Sequence, residues 1–415
     1  MHDILFEIIR ISSMCMRNFI CFGLNLPMNE KILVSLFVAT AFSQAHVVFI
    51  DRYSLLISVL LYPLVFLSAL ISYKSFTLKY LSPSLCFFFT LLYFSLNTVD
   101  VKMTAWIFPL SLSIFVLLKD YLKVAIFNLF ISVLTIVLLF GLSFWMCGFF
   151  LNLDFYLGDC YVGDRLFLLY PFYCVEYTPI PFQIFIINRF SSVFDEPGML
   201  GTISALILCA KNFDLKNDYR LFVVLAGGIF SMSLAFFVLC LFYWIISCRI
   251  FSKYIIYLFI FFFLFLLFDS IFDGVFVERL SYRLVDSDME SIDNRTAGNF
   301  EVMFKQFLNS SALFYGMGHN AHLLAGGGSD GLKVFFYNYG ILGLGLLLLS
   351  FSVLIYSYKL KWHFMPLIVV YFLSFYQRAA IYRLYQLLIF VAGLIIINIC
   401  YYDRKNKIFS SNTSL

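Results

Sequence analysis

The sequence predicts an all-α polytopic membrane protein with about twelve transmembrane helices and two large outer loops. Three observations lead there. Of the 415 residues, 62% are hydrophobic and 13% are charged, and a soluble domain usually carries about 25% charged residues. Mean hydropathy is +0.94, more apolar material than a water-facing fold can bury. Apolar runs close to the roughly 20 residues that cross a hydrocarbon core recur along the whole chain. Secreted, cytosolic and nucleic-acid-binding globular classes are thereby excluded. The net charge of +4 then informs topology, and membrane lipids, not nucleic acid, are the expected surroundings.

In chain order the expected spans are 32–50, 53–73, 81–97, 103–118, 122–147, 198–210, 220–229, 231–247, 253–269, 331–357, 362–377 and 384–402. The segment 4–25 carries Glu7, Arg10 and Arg17, which suits a surface amphipathic helix better than a span or a cleaved signal. The segments 198–210, 220–229 and 231–247 are short, and Gly227-Gly228 and Ser231-Met232-Ser233 interrupt the last two. Broken spans are tolerated where the freed backbone is buried in protein or lines a cavity.

Orientation follows from basic residues. The connections 1–31, 74–80, 118–123, 211–220, 248–253, 358–361 and 403–415 hold 17 of the 28 Lys and Arg, which assigns them and both termini to the cytoplasm. The long loops 148–197 and 270–330 then fall outside, within one integral-membrane domain spanning residues 1–415. Loops of that length are usually functional or disordered. Their aromatic and apolar content argues against disorder.

The first loop ends in Arg189-Phe-Ser-Ser-Val-Phe-Asp195-Glu196-Pro197-Gly198. Pro and Gly at a helix start, or a charge at a membrane boundary, have ordinary structural readings. An Arg, a carboxylate pair and a tight turn together point to chemistry. The second loop carries Arg279, Arg283 and Arg295, then Gly316-Met-Gly318-His319-Asn-Ala-His322. A Gly-X-Gly turn permits close backbone approach to a ligand. Two His three residues apart recur in metal sites, but no Cys/His cluster accompanies them, so no metal is expected. Tyr337-Asn-Tyr-Gly340-Ile-Leu-Gly343 opens a span with small residues suited to close helix packing. Asp286-Ser-Asp288 resembles the acidic pattern of nucleotide-sugar transferases, but no segment forms their α/β domain, so it reads as a solvated loop. Cys160 and Cys174 share the first loop, where an oxidising compartment favours a disulfide between them.

On these residues the chain resembles the O-antigen polymerase family (Wzy type), within the O-antigen polymerase/ligase group. The likeness covers most of the chain as architecture. Its specific points are Arg189 to Gly198, the Ser-rich break at Gly227 to Ser233, Arg295 through Gly318, and Tyr339 to Gly343. The Glu-Pro-Gly element after an Arg discriminates best. Many relatives place an Arg after the Ser of the span break, where this chain has Met232, so no role is carried to that position. The resemblance implies a bacterial inner-membrane fold similar to type-C glycosyltransferases. It also implies transfer of a growing glycan from undecaprenyl pyrophosphate to a new lipid-linked repeat unit at the periplasmic face. The implied partners are the undecaprenyl-pyrophosphate-linked oligosaccharide and, as a candidate, a chain-length regulator in the same membrane. No cofactor is expected.

Arginine suits a pyrophosphate leaving group because its planar guanidinium stays charged and makes paired hydrogen bonds. Arg189 and Arg295 are assigned to the pyrophosphate, with Arg279 and Arg283 in support. Glu196 and His319, then His322, are the candidates to accept or orient the acceptor hydroxyl. Two rivals stand beside this reading. An O-antigen ligase would join the same donor to lipid A core but typically lacks the acid of Glu-Pro-Gly. A flippase for the lipid-linked unit would carry charges within its spans.

Overall fold

The computed structural model describes residues 26–45, 47–51, 54–97, 104–151, 153, 155–162, 165–176, 189–247, 298–326, 331–359, 361–378 and 381–412. The protein is mostly helical. The helices are α1 (Met28–Ser43), α2 (Val48–Asp51), α3 (Ser54–Ile71), α4 (Leu81–Leu96), α5 (Thr104–Leu117) and α6 (Asp120–Leu151). A sheet of β1 (Gly158–Val162), β2 (Arg165–Tyr170) and β3 (Tyr173–Glu176) follows. Then come α7 (Pro197–Ala210), α8 (Arg220–Phe230) and α9 (Leu234–Ser247). The chain continues with α10 (Gly298–Leu308), α11 (Ala312–Tyr315), α12 (Ala321–Leu324), α13 (Leu332–Ser357), α14 (Met365–Gln377) and α15 (Leu384–Asn412).

Among the described residues, three segments are long and apolar enough to cross a membrane: Asp120–Gly148, Leu332–Ser357 and Leu384–Tyr402. The protein is thus a helical membrane protein. The helices form where the apolar runs lie, although the run 32–50 divides into α1 and α2. The expected segments 4–25 and 253–269 lie outside the described residues.

Two helices form the centre. Every residue from 199 to 210 of α7 and from 384 to 395 of α15 is buried. A helix apolar all round belongs inside a larger bundle. Close approach is local: Gly393 of α15 faces Ala210 of α7, where an added Cβ would meet the Ala210 Cβ at 2.8 Å.

The bundle has two distinct ends. At one, Lys123 is fully buried, 3.5 Å from the Tyr80 ring centre, and donates to the Tyr358 hydroxyl at 3.2 Å. Tyr80 donates to Asp120 at 2.7 Å, and Ser75 and Tyr121 donate to Glu30 at 2.9 and 2.6 Å. Lys211 donates to Asn128 at 2.7 Å, and Arg220 pairs with Asp218 at 2.6 Å. At the opposite end, the Gln44 side chain accepts from the Leu384 amide at 2.7 Å, and Val47 bridges to Phe194. Of the candidate residues, the described ones (Arg189, Glu196, His319 and His322) lie at this second end.

The structure adds detail to the expectation in two places and corrects it in a third. First, the mostly helical fold also includes a small sheet. Residues 158–176 form an antiparallel sheet, with β2 between β1 and β3. Its runs are only four to six residues long, too short for a clear alternation. Second, α6 runs to Leu151, its membrane-length apolar stretch ending at Gly148, and the described part of 270–330 includes α10 to α12. Third, Cys160 and Cys174 are both free thiols, not a disulfide. They sit on the outer strands with β2 between them. Neighbouring strands lie about 4.8 Å apart, so the two backbones are about 10 Å apart, beyond disulfide reach. Both thiols instead pack with Phe167 against Val48.

Candidate functional site

The first cluster forms where the loop after the sheet enters α7. Glu196 is the residue before that helix, in extended backbone, and Pro197 opens the first turn. A preset φ and a missing amide hydrogen suit proline there. The Glu196 carboxylate accepts from Arg378 at the end of α14, and its other oxygen lies 3.5 Å from Arg165 of β2. Arg165 also binds Asp195 at 3.1 Å and lies 3.9 Å from Glu176. Two arginines and three carboxylates thus converge from β2, β3, the entry to α7 and the end of α14. The Glu196 side chain keeps 27% exposure and that of Arg165 keeps 37%, so this cluster meets solvent.

Gly198 is the third part of the motif. A Cβ there would stand 3.1 Å from an Arg378 nitrogen. Glycine lets Arg378 lie across the first turn of α7 and reach Glu196. One turn on, a Cβ at Gly201 would stand 2.4 Å from the Ser233 Cβ, so the Ser-rich break between α8 and α9 packs directly on α7. Arg189 secures that break: its Nε and one terminal nitrogen donate to the Ser231 and Met232 carbonyls at 3.0 and 3.1 Å. Carbonyls at a helix C-terminus lack helical partners and attract a cation. Met232 needs the support, since it adopts a positive φ of 46°.

Burial raises the Asp195 carboxyl to about 6. The neighbouring Glu196 charge pushes the same way, while Arg378 and Arg165 oppose it. Asp195 Oδ1 and Arg378 Nε are both buried without a hydrogen-bond partner among the described residues. Chemically, Glu196 is a guanidinium-held carboxylate able to accept a hydroxyl proton. Asp195 sits beside it near the pH at which it changes charge.

The second cluster surrounds α11, α12 and the start of α13. His319 is exposed and its ring pairs with the Tyr339 hydroxyl. His322 is buried against the Asn338 side-chain amide at 3.0–3.2 Å. Asn97 donates to the Tyr315 carbonyl at 2.9 Å, and Tyr93 donates to the same oxygen at 2.6 Å. The Gly316-X-Gly318 turn makes its close approach to protein backbone. Gly316 has φ 83°, and a Cβ there would lie 2.2 Å from the Asn338 carbonyl oxygen. Gly340 has φ 63° and kinks α13 against the same turn.

An aromatic wall joins the two clusters. Tyr339 lies 4.3 Å from Phe94 and 5.0 Å from Phe335, measured between ring centres. Phe335 in turn reaches Phe375 at 5.2 Å and Tyr382 at 6.1 Å, on either side of Arg378 in the chain.

The structure therefore brings Arg189 and Glu196 into one region, with Arg189 on the turn carbonyls. His319 and His322 form the neighbouring cluster. Arg279, Arg283 and Arg295, with Asp286 and Asp288, lie outside the described residues. Sequence reasoning missed Arg165 and Arg378, and it read Asn338 and Tyr339 as part of a packing motif without a site role. Arg378 did carry a signal, since a lone ionisable residue closing an apolar run is costly unless partnered. Among the described residues no group of three or more His, Cys, Asp or Glu side chains is arranged to hold a metal ion. No protein-family model, curated protein or solved structure matches this chain.

Proposed function

We propose that the chain is an O-antigen polymerase. It moves the growing glycan from undecaprenyl pyrophosphate to a hydroxyl of a new lipid-linked repeat unit at the periplasmic face of a bacterial inner membrane. The observation that carries this reading is the Glu196–Arg378–Arg165 cluster, a solvent-reaching carboxylate held by two guanidiniums at the Glu-Pro-Gly element. In this reading about twelve helices span the membrane, both termini are cytoplasmic, and the segments 148–197 and 270–330 contribute to the outer face. The distribution of cations supports that orientation, because Lys123, Lys211 and Arg220 belong to the end opposite the cluster.

In the reaction, the acceptor oxygen bonds to the donor's anomeric carbon while the carbon–oxygen bond to pyrophosphate breaks. The acceptor proton passes to a base, and undecaprenyl pyrophosphate leaves with the bond electrons. Glu196 orients the hydroxyl and accepts from it, with His319 on Tyr339 as the alternative base and His322 as a positioning group. Charge developing on pyrophosphate requires fixed cations. Arg295, Arg279 and Arg283 remain assigned to it, and Arg165 and Arg378 join them. Arg189 acts by holding the turn that supports the site.

The ligase and flippase readings separate from this one in a single experiment, the lipopolysaccharide of a deletion strain. Core capped with one repeat unit supports a polymerase. Core with no repeat unit, and polymerised glycan held on the lipid carrier, supports a ligase. Unpolymerised lipid-linked units trapped on the cytoplasmic side support a flippase.

A further inference from the structure

The β1–β3 sheet carries exposed apolar side chains at one end, where Asp159 of β1 accepts from the Tyr156 hydroxyl at 2.7 Å, and an Arg165–Glu176 pair at the other. The β2–β3 turn carries Phe172, and Leu157, whose amide bonds the Leu169 carbonyl, sits at the same end. Arg165 and Glu176 occupy the opposite end. Phe172 and Leu157 are 42% and 65% exposed. They continue an exposed apolar surface on α6, where Phe140 stacks on Phe172 at 5.3 Å between ring centres. That surface runs on through Phe150 and Leu151, and the stretch 140–153 contains no charged residue.

The height of the turn follows from α6. A Cβ at Gly141 would lie 2.6 Å from the Phe172 carbonyl oxygen, so the turn rests on the helix at residue 141. The polar end of α6 is marked by Asp120, bonded to Tyr80, and by Asn128, bonded to Lys211. At 1.5 Å per residue, Gly141 stands roughly 20–32 Å from that boundary. A hydrocarbon core is about 30 Å thick, so the turn lies at or within its far edge for either choice. Backbone at that depth needs partners, and it has them: Ser192 donates to the Phe172 carbonyl at 3.3 Å, and the Cys174 amide donates to Ser192 at 2.8 Å.

We propose that the turn end of the sheet is inserted into the lipid leaflet at this end of the bundle. Phe172 and Leu157 contact acyl chains, and the Arg165 end stands in the polar layer above. The sheet thereby anchors Arg165 at a set height over the membrane. This inference rests on α6 crossing the bilayer and not on the polymerase reading.

The test places photoreactive benzoyl-phenylalanine at position 172, and separately at 157, in the full chain in intact cells. After irradiation the purified protein is weighed. Phospholipid adducts at both positions are expected. An adduct with a second copy of the chain, an adduct with another protein, or no adduct at either position would overturn the proposal. Leu157 is highly exposed, so the second variant remains informative should the first fail to fold. Adduct mass does not depend on transferase activity, so this result and the lipopolysaccharide phenotype can fail separately.

Discussion

Asp195 makes the cluster sensitive to pH. Its carboxyl is held near 6 by burial first and by Glu196 second, above the ordinary Asp value near 3.9. The folded chain therefore binds this proton more tightly than the unfolded chain. Its stabilising contribution is complete below about pH 4 and is lost as pH rises through 6. Thermal unfolding in detergent between pH 4 and 7.5 should show this part of the slope, and Asp195→Asn should remove it. An identical slope in the variant would show that other groups govern it. Arg189 tests a different question. Its donors go to the Ser231 and Met232 carbonyls, and hydrogen bonds to charged groups contribute about 1.5–3 kcal/mol each. Arg189→Ala should lower the unfolding midpoint and the membrane level together. Lost glycan ladders at unchanged midpoint and level would instead return Arg189 to a direct phosphate role.

At the scale of elements, the Glu-Pro-Gly motif is a packing device. Pro197 starts α7, Gly198 leaves room for Arg378, and Gly201 leaves room for the turn after α8. Adding a methyl group to a full site typically costs about 1–3 kcal/mol. Gly201→Ala should destabilise by that amount, because its Cβ would fall 2.4 Å from the Ser233 Cβ. Ser233→Gly in the same chain should recover part of the loss, since contacting sites couple. The loss and its recovery are read from detergent melting curves, and no recovery would place the strain elsewhere. The cysteines illustrate how elements decide chemistry. Strand β2 separates Cys160 from Cys174, and burial pushes the Cys174 thiol up to about 12, so it resists reaction until the fold opens.

Across the whole molecule, the helices were legible because long apolar runs leave little choice of structure in lipid. The broken pair was legible too, since Ser231-Met232-Ser233 form the turn between α8 and α9, while Gly227-Gly228 stay within α8. The sheet was not, because strands of four to six residues among scattered aromatics carry little periodicity. The site was half legible. Glu196 announced itself through Pro197 and Gly198, but its partner Arg378 stands 182 residues away, and no local pattern links them. The Gly316 turn shows the reverse: its glycines signalled close approach, and Gly316 lies against the α13 backbone while Gly318 lies against Asn97.

The central claim is that Glu196, gripped by Arg378 and Arg165, takes part in glycan polymerisation. Its most direct test is the lipopolysaccharide of a strain carrying Glu196→Gln, with membrane level and unfolding midpoint verified. The substitution keeps shape and removes the charge. Losing one charge-assisted contact to a transition state costs about 10²–10³ in rate. The expected result is core capped with single repeat units and no ladder. A full-length ladder at wild-type protein level would contradict the claim.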